Sequence, residues 1–291
     1  MASFGKMKPN TGREGILMRK WLGILTLSIA LAGCGENAAE APEESQQTPP
    51  IPEEQANSEQ AEEKVSEEAK GTPAETPPLY RINEQLWTIE PLQDANPKVA
   101  LLTIDDAPEN YSLEMAKTLK EYEVPAIFFV NGMFLEEEES RQILKEIAHM
   151  GFEIGNHTYS HQNLKSLTEK EQREEILKVN RMVEEITGEK PIFFRAPFGS
   201  NTDFSRKIVQ EENMVLMNWT YGYDWEEEYM DEAPLANIMV NTPLLQNGAN
   251  LLMHDRKWTN EALDDIITGL RQKGYEFVDP AVIKNEQQTE T

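Results

Sequence analysis

From Val99 onward, short apolar runs alternate with longer amphipathic ones, and the period changes with them. The short runs are VALLTI (99–104), AIFFVN (126–131), FEIGN (152–156), PIFFR (191–195), MVLMNW (214–219), ANLLMH (249–254) and YEFV (275–278). Their length and their β-branched and aromatic content predict strands. Between them, helical spacing is expected near 111–121, 140–149, 168–187, 203–211, 232–240 and 259–272. Thr168 followed three residues later by Glu171 predicts a helix start there. Seven strands separated by helices imply a largely parallel sheet, open or closed, because parallel neighbours need a crossover. Residues 79–98 read as a lead-in segment packed against this domain, which spans 99–280, and 281–291 as a polar tail. No internal repeat is visible.

The first part of the chain has a different character. Residues 36–78 carry twelve Glu and two Lys, with almost no aromatic or β-branched residues. Such a segment cannot recover its ordering entropy by burial, so 35–78 is expected to be a disordered linker, a spacer rather than a binding tail. Before it, Arg19-Lys20 leads into the apolar run Trp21–Cys34. A short apolar stretch behind positive charge is laid out like a secretory signal and is short for a membrane span. Its end, Leu31-Ala32-Gly33-Cys34, resembles the lipobox of bacterial lipoproteins, which implies a lipidated Cys34, a membrane anchor and an extracytoplasmic domain. The stretch before Met18 is long for a signal, so Met18 is an alternative start.

Composition narrows the partners. The chain has 27 Lys plus Arg against 52 Asp plus Glu, a net charge of −25, which argues against nucleic acid as a partner. One Cys in the whole chain excludes an internal disulfide. The protein is read as a monomer.

The candidate chemistry lies just after strand ends: Asp105 and Asp106, His157 and His161, Arg195, Asp224, and His254. The C-terminal edge of the sheet is where α/β folds place their sites. His157 and His161 are spaced i,i+4, which would set both imidazoles on one side of a helical turn, but the Glu of a peptidase H-E-x-x-H is missing. A carboxylate from Asp105 or Asp106 would complete two His and one acid, an open set suited to a catalytic zinc. Adjacent acids at a strand end point different ways, so one can bind metal while the other takes a proton.

These residues resemble, in order, the five motifs of the NodB-type polysaccharide deacetylases, carbohydrate esterase family 4. Thr103-Ile104-Asp105-Asp106 is similar to the first motif and His157-Thr158-Tyr159-Ser160-His161 to the second. Arg195-Ala196-Pro197-Phe198-Gly199 resembles the third, Asp224-Trp225 the end of the fourth, and Leu252-Met253-His254 the fifth. The resemblance covers about 97–280 and implies a distorted (β/α) barrel of seven to eight strands. It also implies that Asp106, His157 and His161 bind one divalent metal, most often Zn2+, and that Asp105 is the general base. His254 is then the general acid and the Phe198 backbone N–H an oxyanion donor. Arg195 and Asp224 order base and acid, in an unassigned pairing, and Trp225 and Leu252 form apolar walls. The implied substrate is an N-acetylated cell-wall polysaccharide, foremost peptidoglycan, with acetate released. O-deacetylation of xylan and a non-catalytic wall-binding lipoprotein are the alternatives. Two departures stand out: Ala107 where the family usually has Gly, and Tyr221 where it often has Asp, a change expected to alter the groove lining.

Overall fold

The computed structural model describes residues 77–285. The expectations for the leader, for Cys34 and for the linker up to Thr76 lie outside the described residues. Among those described, no helix is long and apolar enough to cross a membrane.

A two-stranded antiparallel hairpin, β1 (Tyr80–Ile82) and β2 (Ile89–Pro91), precedes the alternating part. Then follow β3 (Val99–Ala107), α1 (Ser112–Glu121), β4 (Ala126–Val130), α2 (Glu138–His149), β5 (Glu153–Asn156) and α3 (Glu169–Thr187). The series closes with β6 (Phe193–Phe194), α4 (Asp203–Glu211), β7 (Val215–Leu216), α5 (Glu232–Asn241), β8 (Ala249–His254), α6 (Lys257–Gln272) and β9 (Glu276–Phe277). Every predicted strand and helix has its counterpart. The ladders of β6 and β7 are shorter than their apolar runs, because only two residues of each stay in register with a neighbour.

The seven-stranded sheet runs β7-β6-β5-β4-β3-β8, with β9 also on β3, and all its pairings are parallel. It is curved and incompletely closed: between its edges an isolated bridge joins Tyr221 to Leu251. Thr168 caps α3 through the expected reciprocal pair with Glu171. Residues 281–285, expected to open a polar tail, instead pair with the lead-in. Ile283 is buried and bridges Tyr80, and the Lys284 N–H donates to the Tyr80 carbonyl at 2.7 Å.

The central strand β3 is buried over all nine residues, and its period of two sorts them. Ala100, Leu102 and Ile104 join the core cluster under α1, α2, α5 and α6. Val99 and Leu101 pack on the other face with Ile127, Phe129, Phe193 and Met217. Thr103 and Asp105 continue that inner face upward. The same alternation aims Arg195 past Phe193, and Asn250, Leu252 and His254 along β8. The hydrophobic pattern that makes the barrel therefore also decides which polar residues look inward at its rim.

At the opposite end, Glu153 opens β5 beside a cavity of about 220 Å³ that Lys145, His149 and Glu189 also line. Burial first, then the carboxylates of Glu189 and Asp279, push Glu153 up to about 7 from 4.5. The folded state thus keeps a proton that the unfolded chain releases, and stability falls as pH rises between these values. Glu153→Gln should raise the melting temperature by a few °C at pH 8 and leave it unchanged at pH 5. Equal shifts at both pH values would contradict this reading.

Candidate active site

A register shift between Ile104 and Ala107 bulges the end of β3, and Asp106 takes a left-handed conformation there, φ 62°. The bulge turns the two neighbouring carboxylates apart. Asp105 Oδ1 accepts from Arg195 Nη1 at 2.6 Å, and its Oδ2 lies 3.4 Å from His157 Nε2. Asp106 Oδ1 lies 3.6 Å from His161 Nε2. Ala107, in place of the usual Gly, has no positive φ and is fully buried in the core, so its methyl group is accommodated.

His157 and His161 do meet, but not on a helical turn. Residues 157–161 form an irregular loop with positive φ at Thr158 (67°) and His161 (55°), and the rings lie 5.0 Å apart between centroids. Local polar groups hold this shape. Asn156 Oδ1 accepts the Thr158 N–H, Asn131 Nδ2 donates to the His157 carbonyl at 2.6 Å, and Glu175 accepts from Ser160 N–H and Oγ. The i,i+4 spacing was suggestive for a wrong reason, since loop curvature rather than helical pitch brings the rings together.

The donor set fits a metal. One ligand atom each from Asp106, His157 and His161 lies within 4.8 Å of the others. His157 pairs its Nδ1 with the Arg195 carbonyl at 2.8 Å, which makes Nδ1 the protonated nitrogen and leaves the Nε2 lone pair for coordination. Burial, outweighing the nearby carboxylates, holds His157 below its ordinary pKa and so in the neutral form that metals take.

Arg195 is completely buried and reaches four polar partners: Asp105, Thr103 Oγ1 (2.8 Å), the Asn218 carbonyl (2.8 Å) and Asn250 Oδ1 (3.5 Å). Its guanidinium also lies over the Phe129 ring, 4.3 Å from the centroid. Three residues on, Phe198 has φ 58°, a rare conformation for a bulky side chain, and its largely exposed ring meets His161 edge-on at 4.9 Å.

The second pair lies across the rim. Asp224, buried, accepts from His254 Nδ1 at 2.7 Å, from the His254 N–H at 2.6 Å and from Thr259 Oγ1 at 2.8 Å. Burial opposes a charged His254, but the hydrogen-bonded Asp224 carboxylate, joined by Asp105 and Asp106, outweighs it and raises the imidazole above its ordinary value. Asp105 and His254 are register partners on β3 and β8, so base and acid candidates stand side by side at one sheet edge. Trp225, half-exposed, meets His254 edge-on at 5.5 Å, while Leu252 is buried beneath. Arg195 thus contacts Asp105, and Asp224 contacts His254. Tyr221 does not line the groove as expected. It is buried in the core under α5, with its hydroxyl donating to the Met239 carbonyl at 2.7 Å.

Sequence reasoning gave no role to Thr103, although it opens the first motif, nor to Asn218, Asn250, Asp255, Arg256 and Thr259. Asp255 and Arg256 follow His254 directly, so their position was a signal. The other four are ordinary polar residues that only the fold assembles.

The polysaccharide deacetylase family matches residues 93–217. An uncharacterized protein of Bacillus subtilis, YlxY, is 33% identical over 192 residues, 64% of this chain and 58% of the relative. A peptidoglycan-N-acetylglucosamine deacetylase of Bacillus cereus is 34% identical over 61% of this chain and 65% of its own length. The peptidoglycan-N-acetylmuramic acid deacetylase PdaA of Bacillus subtilis is 30% identical, with 64% of this chain matched to 71% of it. Among solved structures, a CE4 family pseudoenzyme from Bacillus anthracis superposes with a TM-score of 0.58 at 34% identity, over 64% of each chain. The chain belongs to the polysaccharide deacetylase family. It spans less than two thirds of the first two relatives named, YlxY and the Bacillus cereus enzyme.

The close approach of the motif-four loop to β8 depends on Gly222, where a Cβ would sit 2.3 Å from the Leu252 carbonyl oxygen. Gly222→Ala should force Asp224 away from His254 and destabilise the domain by roughly 1–3 kcal/mol. Chemical denaturation measures it, and an unchanged midpoint would mean that the loop yields freely.

Proposed function

We propose that this chain is a metal-dependent N-deacetylase that acts on the amino sugars of peptidoglycan and releases acetate. One observation carries the reading: two ordered pairs, Arg195–Asp105 and Asp224–His254, flank the Asp106–His157–His161 donor set. The names of the Bacillus cereus and Bacillus subtilis relatives support the substrate class.

Zinc is the proposed occupant of Asp106, His157 and His161; when bound, it supplies Lewis acidity to the acetyl carbonyl and acidifies an attacking water. Asp105 takes the proton of that water on Oδ2, since Oδ1 is held by Arg195. The Phe198 backbone N–H donates to the developing oxyanion. His254, its Nδ1 committed to Asp224, delivers a proton from Nε2 to the departing nitrogen as the C–N bond breaks. Acetate and a free amine result. Trp225 and Leu252 wall the acetyl group. A lipid on Cys34 would hold this domain outside the membrane, facing the wall.

The test incubates the chain with peptidoglycan fragments, N-acetylglucosamine oligomers and acetylated xylan, and measures acetate with and without chelator. Release from the first two, abolished by chelator and restored by zinc, is expected. Asp105→Asn should lower turnover by about 10²–10⁴-fold with metal content unchanged. Release from xylan alone would overturn the substrate assignment, and release from none the enzymatic reading.

The pH profile has its own signature. Because His254 must be protonated and Asp224 raises its pKa, activity should fall only as pH rises through a value above 6.5. Asp224→Asn should move that descending limb to lower pH. A limb that stays in place would remove His254 from the acid role.

A further inference from the structure

Asp106 divides its two oxygens between different neighbours. Oδ1 faces His161, whereas Oδ2 accepts from Arg256 Nη2 at 2.7 Å. Arg256 is the second residue after β8, and its Nη1 also donates to Glu109 Oε2 at 2.5 Å and to the Asp255 carbonyl at 3.0 Å. The guanidinium therefore bridges the Asp106 carboxylate at the end of β3 and the Glu109 carboxylate in the turn before α1. A planar fork spans such a pair, and a single ammonium cannot make the same contacts.

Its neighbour Asp255 does a separate job. Fully buried, it accepts the N–H groups of Glu109 (2.8 Å), Asn110 (2.8 Å) and Tyr111, and the Ser112 hydroxyl at 2.6 Å. Its own N–H donates to the Asp105 carbonyl at 3.0 Å. Asp255 thus fixes the backbone of the turn. That leaves the carboxylate of Asp106, on a bulge and at positive φ, to be oriented by something else. Arg256 is the side chain that touches it, and Glu109 offsets the charge that Arg256 brings to a cation site.

We infer that Arg256 is a positioning residue for the metal site: it occupies one oxygen of Asp106 and so presents a single oxygen towards His157 and His161. The remaining coordination is thereby left open. The inference rests on the metal reading of that triad, and the experiment separates the two.

Full-length wild type, Arg256→Ala and Arg256→Lys are stripped of metal. Zinc affinity is measured by competition with a chromophoric chelator, and cobalt is added as a spectroscopic probe. Arg256→Ala should bind zinc roughly 10–100-fold more weakly. Its cobalt bands should shift and lose intensity as the freed second oxygen raises the coordination number. Arg256→Lys, whose ammonium can still pair with Asp106 but not bridge both carboxylates, should recover part of both. The metal-free melting temperatures should agree within about 2 °C, because a half-exposed ion pair adds little to stability. Affinity within twofold of wild type with superimposable cobalt spectra would overturn the inference, as would tighter zinc binding. Loss of metal-free stability in Arg256→Ala without spectral rescue by Lys would also overturn it, making Arg256 a brace of the fold. Failure of the wild type to bind either metal would instead sink the metal reading itself.

Discussion

The site depends on one buried cation. Arg195 has no exposed surface, and a guanidinium in that position is tolerated only when it is paired and hydrogen-bonded. Asp105 supplies the charge at 2.6 Å, and Thr103, Asn218 and Asn250 supply further acceptors. These constraints reach past Arg195 itself. The pairing orients the proposed base, and the Arg195 carbonyl sets the tautomer of His157. One residue thus couples the proposed proton acceptor to the proposed metal ligand, through side chain in one direction and backbone in the other. Removing either partner alone would leave an uncompensated buried charge, which costs several kcal/mol.

The second pair follows the same logic with the roles reversed. Asp224 is the buried charge, and it gathers three donors from His254 and Thr259, while Trp258 Nε1 bonds its carbonyl. A carboxylate orders an imidazole here, where in the first pair a guanidinium orders a carboxylate. The opposite pKa directions of His157 and His254 come from this contrast. Desolvation prevails at His157, whereas at His254 it is outweighed by Asp224 together with Asp105 and Asp106. Two histidines at one rim are thereby suited to different work, one as a neutral ligand and the other as a proton donor.

Much of this was legible in the chain. The strand and helix alternation carried the fold because apolar periodicity is local, and the strand-end position of Asp105, Asp106, His157, Arg195 and His254 carried the rim. What stayed hidden was pairwise. Asp224 could not be matched to His254 rather than Asp105 without the bridge of Tyr221 to Leu251, which lays the segment before Asp224 along β8. The loop at 157–161 could not be told from a helical turn, because its positive φ values sit on Thr158 and His161 rather than on glycines. Tyr221 misled because it stands where the family often has Asp, which suggested a changed groove, while its ring fills the core. Arg256 went unnoticed because a charged residue at a helix start reads as solvated until its two carboxylate partners are in view.

A structural relative at 34% identity is a pseudoenzyme, so family membership and fold do not by themselves establish turnover. The ordered pairs around the donor set are the argument for it, and they can be tested together. Metal-free full-length protein is titrated with zinc while acetate release from N-acetylglucosamine oligomers is followed. Activity should rise linearly to one equivalent and then level off. Uptake of one equivalent without acetate release from any N-acetylated oligomer or peptidoglycan fragment would contradict the account.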